Sequence, residues 1–357
     1  MLLNGNRATG PFCDHFAPSN RELLLPLLIA TDEAGYGPKL GPLIIVATAW
    51  RLPESVDLKA AFAPLRIPFD DERCEPIHID DSKRVFKRNQ LLPPGKMAIL
   101  DVVCRAASQW ASLHDPLANF PGWLKAVAAT DYVRIVHEQW FAPWAALAEP
   151  AADSLGSSGS DLKLIEHWSA TGVELCSVQA RFISAPAFNA MLDDGMNKAD
   201  ILTESTCRMT FELIDQLGQH DRAVWVFSDR HGGRAFYGAA LQHAGKGAMW
   251  QVISEGKRVS QYELTDRNHG GDERKIQWSF SVDGDSFAPV SLSSMIAKWL
   301  RERAMDRFNR YFFDRMPAGC ELKPTAGYPN DADRYLLDIQ RAGLRQSIAD
   351  ADLIRNR

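Results

Sequence analysis

Two adjacent carboxylates lie between two apolar segments near the start of this chain, and they constrain its fold more than any other feature. Residues 23–30 (LLLPLLIA) and 42–50 (PLIIVATAW) flank the stretch TDEAGYGP, residues 31–38. This pattern predicts consecutive strands over Leu23–Thr31 and Pro42–Trp50, joined by a Gly-Pro turn. Buried carboxylates are costly unless they are paired or bind a metal. Asp32 and Glu33 therefore predict a metal-binding corner, in which the following glycines let the backbone approach an anionic ligand.

Composition and cysteine usage narrow the class of protein. The chain has 357 residues, 46% hydrophobic and 24% charged, which is ordinary for a globular protein of one or two domains. Its net charge of -5 excludes a global basic field, so attraction to nucleic acid would need a local patch. The six cysteines are scattered without a CxxC pair, and no HExxH occurs, which argues against a zinc site or a disulfide framework. We expect reduced thiols, a cytoplasmic location and no membrane span.

Hydrophobic periodicity predicts the remaining elements. The predicted helices are Lys96–Leu113, Tyr132–Leu147, Asp200–Leu217 and Val290–Phe313. The predicted strands are Val173–Ile183, Ala223–Phe227 and a set around a polar turn within residues 249–282. Residues 51–92 predict an irregular excursion, and the Gly/Ser-rich stretch 151–161 predicts a loop. Strands and helices in this order indicate an α/β fold with a mixed sheet.

Further carboxylates follow predicted elements downstream. Asp229 ends the AVWVF strand, and the Asp283-Gly284-Asp285 run precedes the long helix. Each has an ordinary alternative, a helix cap for Asp229 and a turn for Asp283-Gly284-Asp285. Together with Asp32 and Glu33, however, Asp229 and Asp285 would give oxygen ligands suited to paired Mg²⁺ or Mn²⁺ ions.

Basic side chains occur near these positions. Residues 82–88 (SKRVFKR) form a dense basic stretch after Asp80-Asp81, and Lys298, Arg301 and Arg303 lie on the predicted long helix. Both groups are candidates for phosphate contacts, although a solvated charged face explains the second equally well. Tryptophans at 110, 123, 140, 144 and 168 are expected to pack in the core.

These motifs resemble, in order along residues 25–340, those of the ribonuclease HII family. The family's DEAGRGP–GPV motif corresponds to residues 32–46 (DEAGYGPKLGPLIIV), and its D-S-K element to Asp81-Ser82-Lys83. Its K-[GA]-D segment and AASI-AK helix correspond to Gly284-Asp285 and to residues 293–298 (SSMIAK). Gly327-Tyr328-Pro329 is similar to the family's GYGT or GYPT motif.

The resemblance implies a ribonuclease H-like fold, a five-stranded mixed sheet flanked by helices. It implies Mg²⁺- or Mn²⁺-dependent cleavage of the RNA strand of RNA–DNA hybrids, including at single embedded ribonucleotides. The implied catalytic and metal-binding residues are Asp32, Glu33, Asp229 and Asp285, with Asp283 a rival for the last. The implied substrate-binding residues are Gly35, Tyr36, Gly37, Lys83, Lys298 and Tyr328. We expect one such domain over residues 23–345, with insertions near 51–75, 115–170 and 255–280, tails at 1–22 and 346–357, and a monomer as the working unit.

Two departures from the family pattern bear on substrate choice. Tyr36 occupies the arginine position of the family's Gly-Arg-Gly, so a phosphate contact is lost and an aromatic ring is gained. Asp333 replaces the histidine expected after GY-x-T. Two alternatives therefore stay open: a non-catalytic nucleic-acid-binding module on the same fold, or a related nuclease that acts on DNA or branched substrates.

Overall fold

A single mixed sheet forms the centre of the molecule. The computed structural model describes residues 26–53, 57–85, 98–111, 120–142, 159–245 and 248–356. The strands are β1 (Leu27–Ala34), β2 (Leu43–Arg51), β3 (Glu174–Ile183), β4 (Ala223–Asp229), β5 (Gln251–Glu255), β6 (Val259–Arg267) and β7 (Glu273–Ser281). They are ordered β3-β2-β1-β4-β7-β6-β5. β4 runs parallel to both β1 and β7, and the other neighbours are antiparallel.

Helices cover both faces of this sheet. Those before β4 are α1 (Leu58–Ala61), α2 (Ala63–Arg66), α3 (Ser82–Val85), α4 (Ile99–Trp110), α5 (Phe120–Val127), α6 (Ala129–His137), α7 (Gly159–Trp168), α8 (Ala185–Asp193) and α9 (Lys198–Leu217). Those after it are α10 (Gly238–Ala244), α11 (Ala288–Phe313), α12 (Pro329–Arg341) and α13 (Asp350–Leu353). The predicted α/β class, a mixed sheet flanked by helices, is confirmed, and the arrangement is consistent with a ribonuclease H-like fold.

Alternation along the first strand divides the core into two layers. Leu28 and Ala30 of β1 face the layer that contains α4 and α11, whereas Leu27 and Ile29 face the layer that contains α9. Successive side chains of a strand point to opposite faces, and every residue from Leu27 to Asp32 is buried. β1 is therefore a central strand that is buried on both faces.

Several element boundaries differ from the sequence-based predictions. The helix predicted to start at Tyr132 is α6, which begins at Ala129 and ends at His137, and residues 143–158 lie outside the described part. The excursion after β2 contains short helices, α1 to α3. Residues 151–158 of the predicted loop lie outside the described part, and residues 159–161 form the start of helix α7 instead of a loop. Asp161 is buried there in ion pairs with Arg73 and Arg105.

The predicted hairpin region extends the sheet. Beyond β7, the β6–β5 pair adds two strands to the five-stranded core, which explains the seven strands observed. Trp123, Trp140 and Trp168 pack in the core as expected, and Trp144 lies outside the described residues. Among the described residues, Cys104, Cys176, Cys207 and Cys320 form no disulfide. None of the described helices combines the length and apolarity that a membrane span requires.

Candidate metal centre and substrate loop

Parallel pairing places Asp32 and Asp229 side by side at one edge of the sheet. Thr31 of β1 is in register with Ser228 of β4, and their hydroxyl oxygens are 2.7 Å apart. Asp32 and Asp229 are the next residue on each strand, so their carboxylates emerge at the same carboxyl edge. This edge is where ligands bind in most α/β proteins. The two strand ends that carry the predicted candidates Asp32 and Asp229 therefore lie next to each other.

The turn after β7 adds Asp285 to this edge. Gly284 donates its backbone N–H to Asp229 Oδ1 at 2.8 Å. A Cβ at Gly284 would lie 2.9 Å from Asp229 Cα, so only glycine allows this close approach. Asp285 follows directly, in a 3-10 turn over Gly284–Ser286. Its carboxylate is near enough to raise the pKa of both Asp32 and Asp229.

Asp283 and Asp285, the two candidates for the fourth carboxylate, differ in their surroundings. Asp283 has a left-handed backbone, φ 59°, and its carboxylate is 3.0 Å from Arg258 in an exposed ion pair. Asp285 faces the other carboxylates instead. The geometry therefore favours Asp285 over Asp283 as the carboxylate that completes the cluster.

Burial and mutual repulsion raise the pKa of every carboxyl in this cluster. Burial, followed by the charge of Asp229, raises the pKa of Asp32 to about 7, and a hydrogen bond from Ser294 of α11 opposes the shift. Burial and the charge of Asp32 raise the pKa of Glu33 well above its ordinary value. Burial also raises the pKa of Asp229 and of Asp285. Converging acids of this kind are typical of sites that bind cations.

The D-S-K element supplies positive charge to the cluster. Its helix, α3, docks on α11, where Ser82 Oγ and Ser294 Oγ are 3.1 Å apart. The ammonium of Lys83 lowers the pKa of Glu33, Asp229 and Asp285, so it lies within electrostatic reach of these three carboxylates. Phe86, Lys87 and Arg88 of the basic stretch lie outside the described residues.

The basic residues of α11 have structural partners. Lys298 donates to Glu302 at 2.7 Å, one helical turn beyond Ser294. Arg301 is buried and donates to the carbonyl of Ala326 at 2.9 Å. Arg303 contacts Asp101 and the ring of Trp299. Arg301 and Arg303 therefore support the fold, and their interpretation as phosphate contacts is not supported by this placement.

The Gly35–Gly37 loop and Tyr328 lie together beside the cluster. A Cβ at Gly37 would lie 3.6 Å from the Tyr328 ring, which is half exposed. Backbone bonds from Lys39 and Leu40 to the carbonyl of Gly327 join the two segments. Lys39 also pairs with Asp333, the residue at the family's histidine position. The structure thus brings the two aromatic candidates, Tyr36 and Tyr328, to one loop.

Tyr36 faces a groove on the α9 side of the sheet. Lys198 lies over the Tyr36 ring at 4.6 Å, and a Cβ at Gly232 would meet this ring at 3.1 Å. The groove has a volume of about 910 Å³ and runs between α9, α10 and residues 231–236. Its charged lining includes Asp194, Asp200, Glu204 and Arg234, so it suits bases or sugars better than phosphates.

A divalent cation fits the chemistry of this edge, although no closed cage is formed. No group of three or more His, Cys, Asp or Glu side chains in the described ranges is arranged to hold a metal ion. Mg²⁺ usually takes one or two protein carboxylates and completes its shell with water and substrate phosphates. The clustered carboxylates with raised pKa values therefore match a site that a phosphate-bearing substrate would complete.

Two groups of functional candidates were missed from the sequence. Ser82 and Ser294 lie within sequence motifs, but no functional role was predicted for either. Their contact becomes visible only in the docking of α3 on α11. Arg355 lies in the predicted C-terminal tail, yet it is buried and donates to the carbonyl of Gly35 at 2.7 Å. No local sequence signal marks Arg355, because its partner is 320 residues away.

Comparisons with known proteins give matches of low similarity. No family model and no curated protein matches the sequence. Among solved structures, Bst-RNase HIII in complex with Mn²⁺ matches with a TM-score of 0.39 and 12% identity, over 94% of this chain and 67% of that chain. RNase HII of Archaeoglobus fulgidus, solved in a PCNA complex, matches with a TM-score of 0.39 and 12% identity, over 92% and 93%. Ribonuclease H2 of Pyrococcus horikoshii OT3 matches with a TM-score of 0.34 and 11% identity, over 90% of this chain and 94% of that chain. Scores this low add nothing to the site geometry described above.

Proposed function

We propose that this protein is a metal-dependent endoribonuclease that cleaves the RNA strand of RNA–DNA hybrids or cuts at embedded ribonucleotides. The observation that supports this most directly is the convergence of Asp32, Glu33, Asp229 and Asp285 at one sheet edge, beside the Gly35–Gly37 loop. Burial is the main cause of the raised pKa of each carboxyl, and the charges of neighbouring carboxylates add to it; a bound cation would offset both effects.

In this proposal Asp32, Glu33, Asp229 and Asp285 hold two Mg²⁺ or Mn²⁺ ions. Such ions activate a water and stabilise the leaving oxygen of a phosphodiester. Ser294 fixes the Asp32 carboxylate, and the Gly284 N–H fixes that of Asp229. Lys83 offsets the charge of the acids and contacts a phosphate, with Lys298 as a second phosphate contact. Gly35, Tyr36 and Gly37 recognise the ribonucleotide, and Tyr328 stacks on the neighbouring sugar or base.

The test compares three duplexes: one with a single embedded ribonucleotide, one RNA–DNA hybrid and one of DNA alone. Each is incubated with Mg²⁺, with Mn²⁺ or with chelator, and Asp32→Asn serves as the variant that keeps the side-chain shape. We expect cleavage only of the ribonucleotide-containing duplexes, only with a cation, and a loss of at least about a hundredfold in Asp32→Asn.

Each alternative has its own outcome in this assay. Equal cleavage of the DNA duplex would support the nuclease of different substrate class. Hybrid binding that is unchanged by chelator, without any cut, would support the non-catalytic module. We place the working unit as a monomer in the cytoplasm, which gel filtration and fractionation would check.

A further inference from the structure

Two buried arginines hold the Gly35–Pro38 loop from the inside of the molecule. Arg301 is 2% exposed and Arg355 is 3% exposed. Arg355 Nη2 donates to the carbonyls of Gly35, at 2.7 Å, and of Pro38. Arg301 Nη2 donates to the carbonyls of Ala326, at 2.9 Å, and of Leu40, at 3.4 Å. The pair thus binds both the loop and the segment that leads to Tyr328.

The buried guanidinium of Arg355 is electrostatically unfavourable. Burying a guanidinium without a carboxylate is unfavourable. Arg355 makes no ion pair with any residue that the structure describes, and its Nε and Nη1 atoms are buried without hydrogen-bond partners. Burial and the nearby charge of Arg301 lower the pKa of Arg355. Arg355 is stabilised instead by its bonds to the carbonyls of Gly35 and Pro38 and by a contact with the Phe188 ring, whose centroid is 5.2 Å from the guanidinium carbon.

The orientation of the Gly35 carbonyl determines where the amide of Tyr36 points, because the two groups belong to one planar peptide unit. With this carbonyl turned inward to Arg355, the N–H of Tyr36 points away and finds no hydrogen-bond acceptor among the described residues. Gly35 has φ +88°, and a Cβ there would lie 2.3 Å from Arg301 Nε. Only glycine fits this conformation beside the buried arginine, and the arrangement leaves one unpaired backbone donor beside the carboxylate cluster.

The C-terminal segment is part of the same arrangement. Ile354 pairs with Leu40 in an antiparallel bridge, and the N–H of Arg355 donates to the carbonyl of Lys39 at 2.9 Å. Asn189 of α8 donates to the carbonyl of Ile354 and accepts from the N–H of Asn356, each at 2.8 Å. The segment predicted as a tail is thus fastened along the loop that adjoins the carboxylates.

We propose that Arg355 is a positioning residue for substrate recognition. Through the carbonyl of Gly35 it holds the Tyr36 amide ready to donate to the ribose hydroxyl or phosphate of a ribonucleotide, and through the carbonyl of Pro38 it fixes the end of the loop. The inference rests on the proposed ribonuclease function. It also accounts for the tyrosine at position 36, because recognition by backbone amides does not depend on that side chain.

The experiment compares Arg355→Gln, Arg355→Lys and the matched control Arg341→Gln, an exposed arginine near the same end of the chain. Hydrogen exchange is followed in peptides that cover residues 34–41. Cleavage of the duplex with one ribonucleotide gives KM and kcat, and thermal unfolding gives overall stability. In Arg355→Gln we expect exchange in 34–41 to rise about tenfold and KM to rise by a similar factor, with kcat changed far less. Arg355→Lys should recover part of both effects, and Arg341→Gln should match the wild type.

The outcomes separate this inference from the proposed function. If exchange and KM stay at wild-type values in Arg355→Gln, the positioning role is wrong. A uniform rise of exchange over the whole chain would also overturn it, because that result indicates only lost stability. If the wild type cleaves nothing, the proposed function fails, whereas the exchange data still decide whether Arg355 holds the loop.

Discussion

At the scale of single residues, the site is defined by which side of an element each carboxylate faces. Asp32 contacts Ser294 of α11. Glu33, the next residue, lies within electrostatic reach of Asp32 and Asp229 and also of Tyr36, whose pKa is raised by burial and then by the charge of Glu33. Asp283 and Asp285 are two residues apart, yet only Asp285 is directed at the cluster. The chemistry of each position thus depends on a local turn that charge pattern alone does not reveal.

The two aspartates give a direct test of this interpretation. Asp285→Asn should lower cleavage of a ribonucleotide-containing duplex by about 10²–10³-fold, because it removes a carboxylate that faces the cluster. Asp283→Asn should stay within a few-fold of the wild type, because it removes only an exposed ion pair with Arg258. Steady-state rates at saturating Mn²⁺ measure both variants. Equal losses in the two would contradict the assignment of Asp285.

At the scale of elements, the β5–β6 hairpin brings basic charge to the site. Arg230, the residue after Asp229, donates to the carbonyls of Gly256, at 2.8 Å, and of Lys257. This fixes the hairpin turn, and Arg258 in the turn pairs with Asp283. Lys257 is exposed and makes no ion pair with any residue in the described ranges. The hairpin insertion therefore extends the candidate nucleic-acid surface beyond Lys83.

Lys257→Gln tests whether this turn contacts phosphate. We expect a higher KM at low salt and a slope of log KM against log salt that is smaller by about 1, as for one lost phosphate contact. The control is Arg222→Gln, an exposed arginine that pairs with Asp272 at the opposite end of the sheet. A salt slope that is the same in Lys257→Gln and wild type would exclude the contact.

At the scale of the whole molecule, the helices between α4 and β3 are tied to the sheet edge by buried polar groups. Asp131 of α6 accepts from Arg181 and from the N–H of Phe182, both at 2.8 Å. Glu138, just after α6, lies beside Ser184 and Trp140. Burial raises the pKa of Glu138 to about 7. The free energy with which these helices dock on the sheet therefore depends on pH.

The direction of this pH dependence follows from the proton that Glu138 binds. In the native state Glu138 keeps its proton to a higher pH than in the unfolded chain. Its contribution to the free energy of unfolding is therefore fully present below its ordinary pKa and is lost as the pH rises through about 7. Glu138→Gln should therefore match the wild type near pH 4 and be more stable at pH 8, by about 3 kcal/mol. Urea unfolding over this pH range measures the difference. A constant difference between the two proteins across the range would contradict the shift.

The sequence by itself determined the α/β class, the strands that carry Asp32 and Asp229, and the long helix α11. These features depend on local patterns, namely apolar runs, helical periodicity and glycines at turns. Tertiary structure alone decided the choice of Asp285 over Asp283, the structural roles of Arg301 and Arg303, and the docking of the C-terminal segment. Each of these depends on contacts between residues far apart in the chain, such as Arg355 and Gly35, and no local pattern encodes which distant partner a charged side chain will meet.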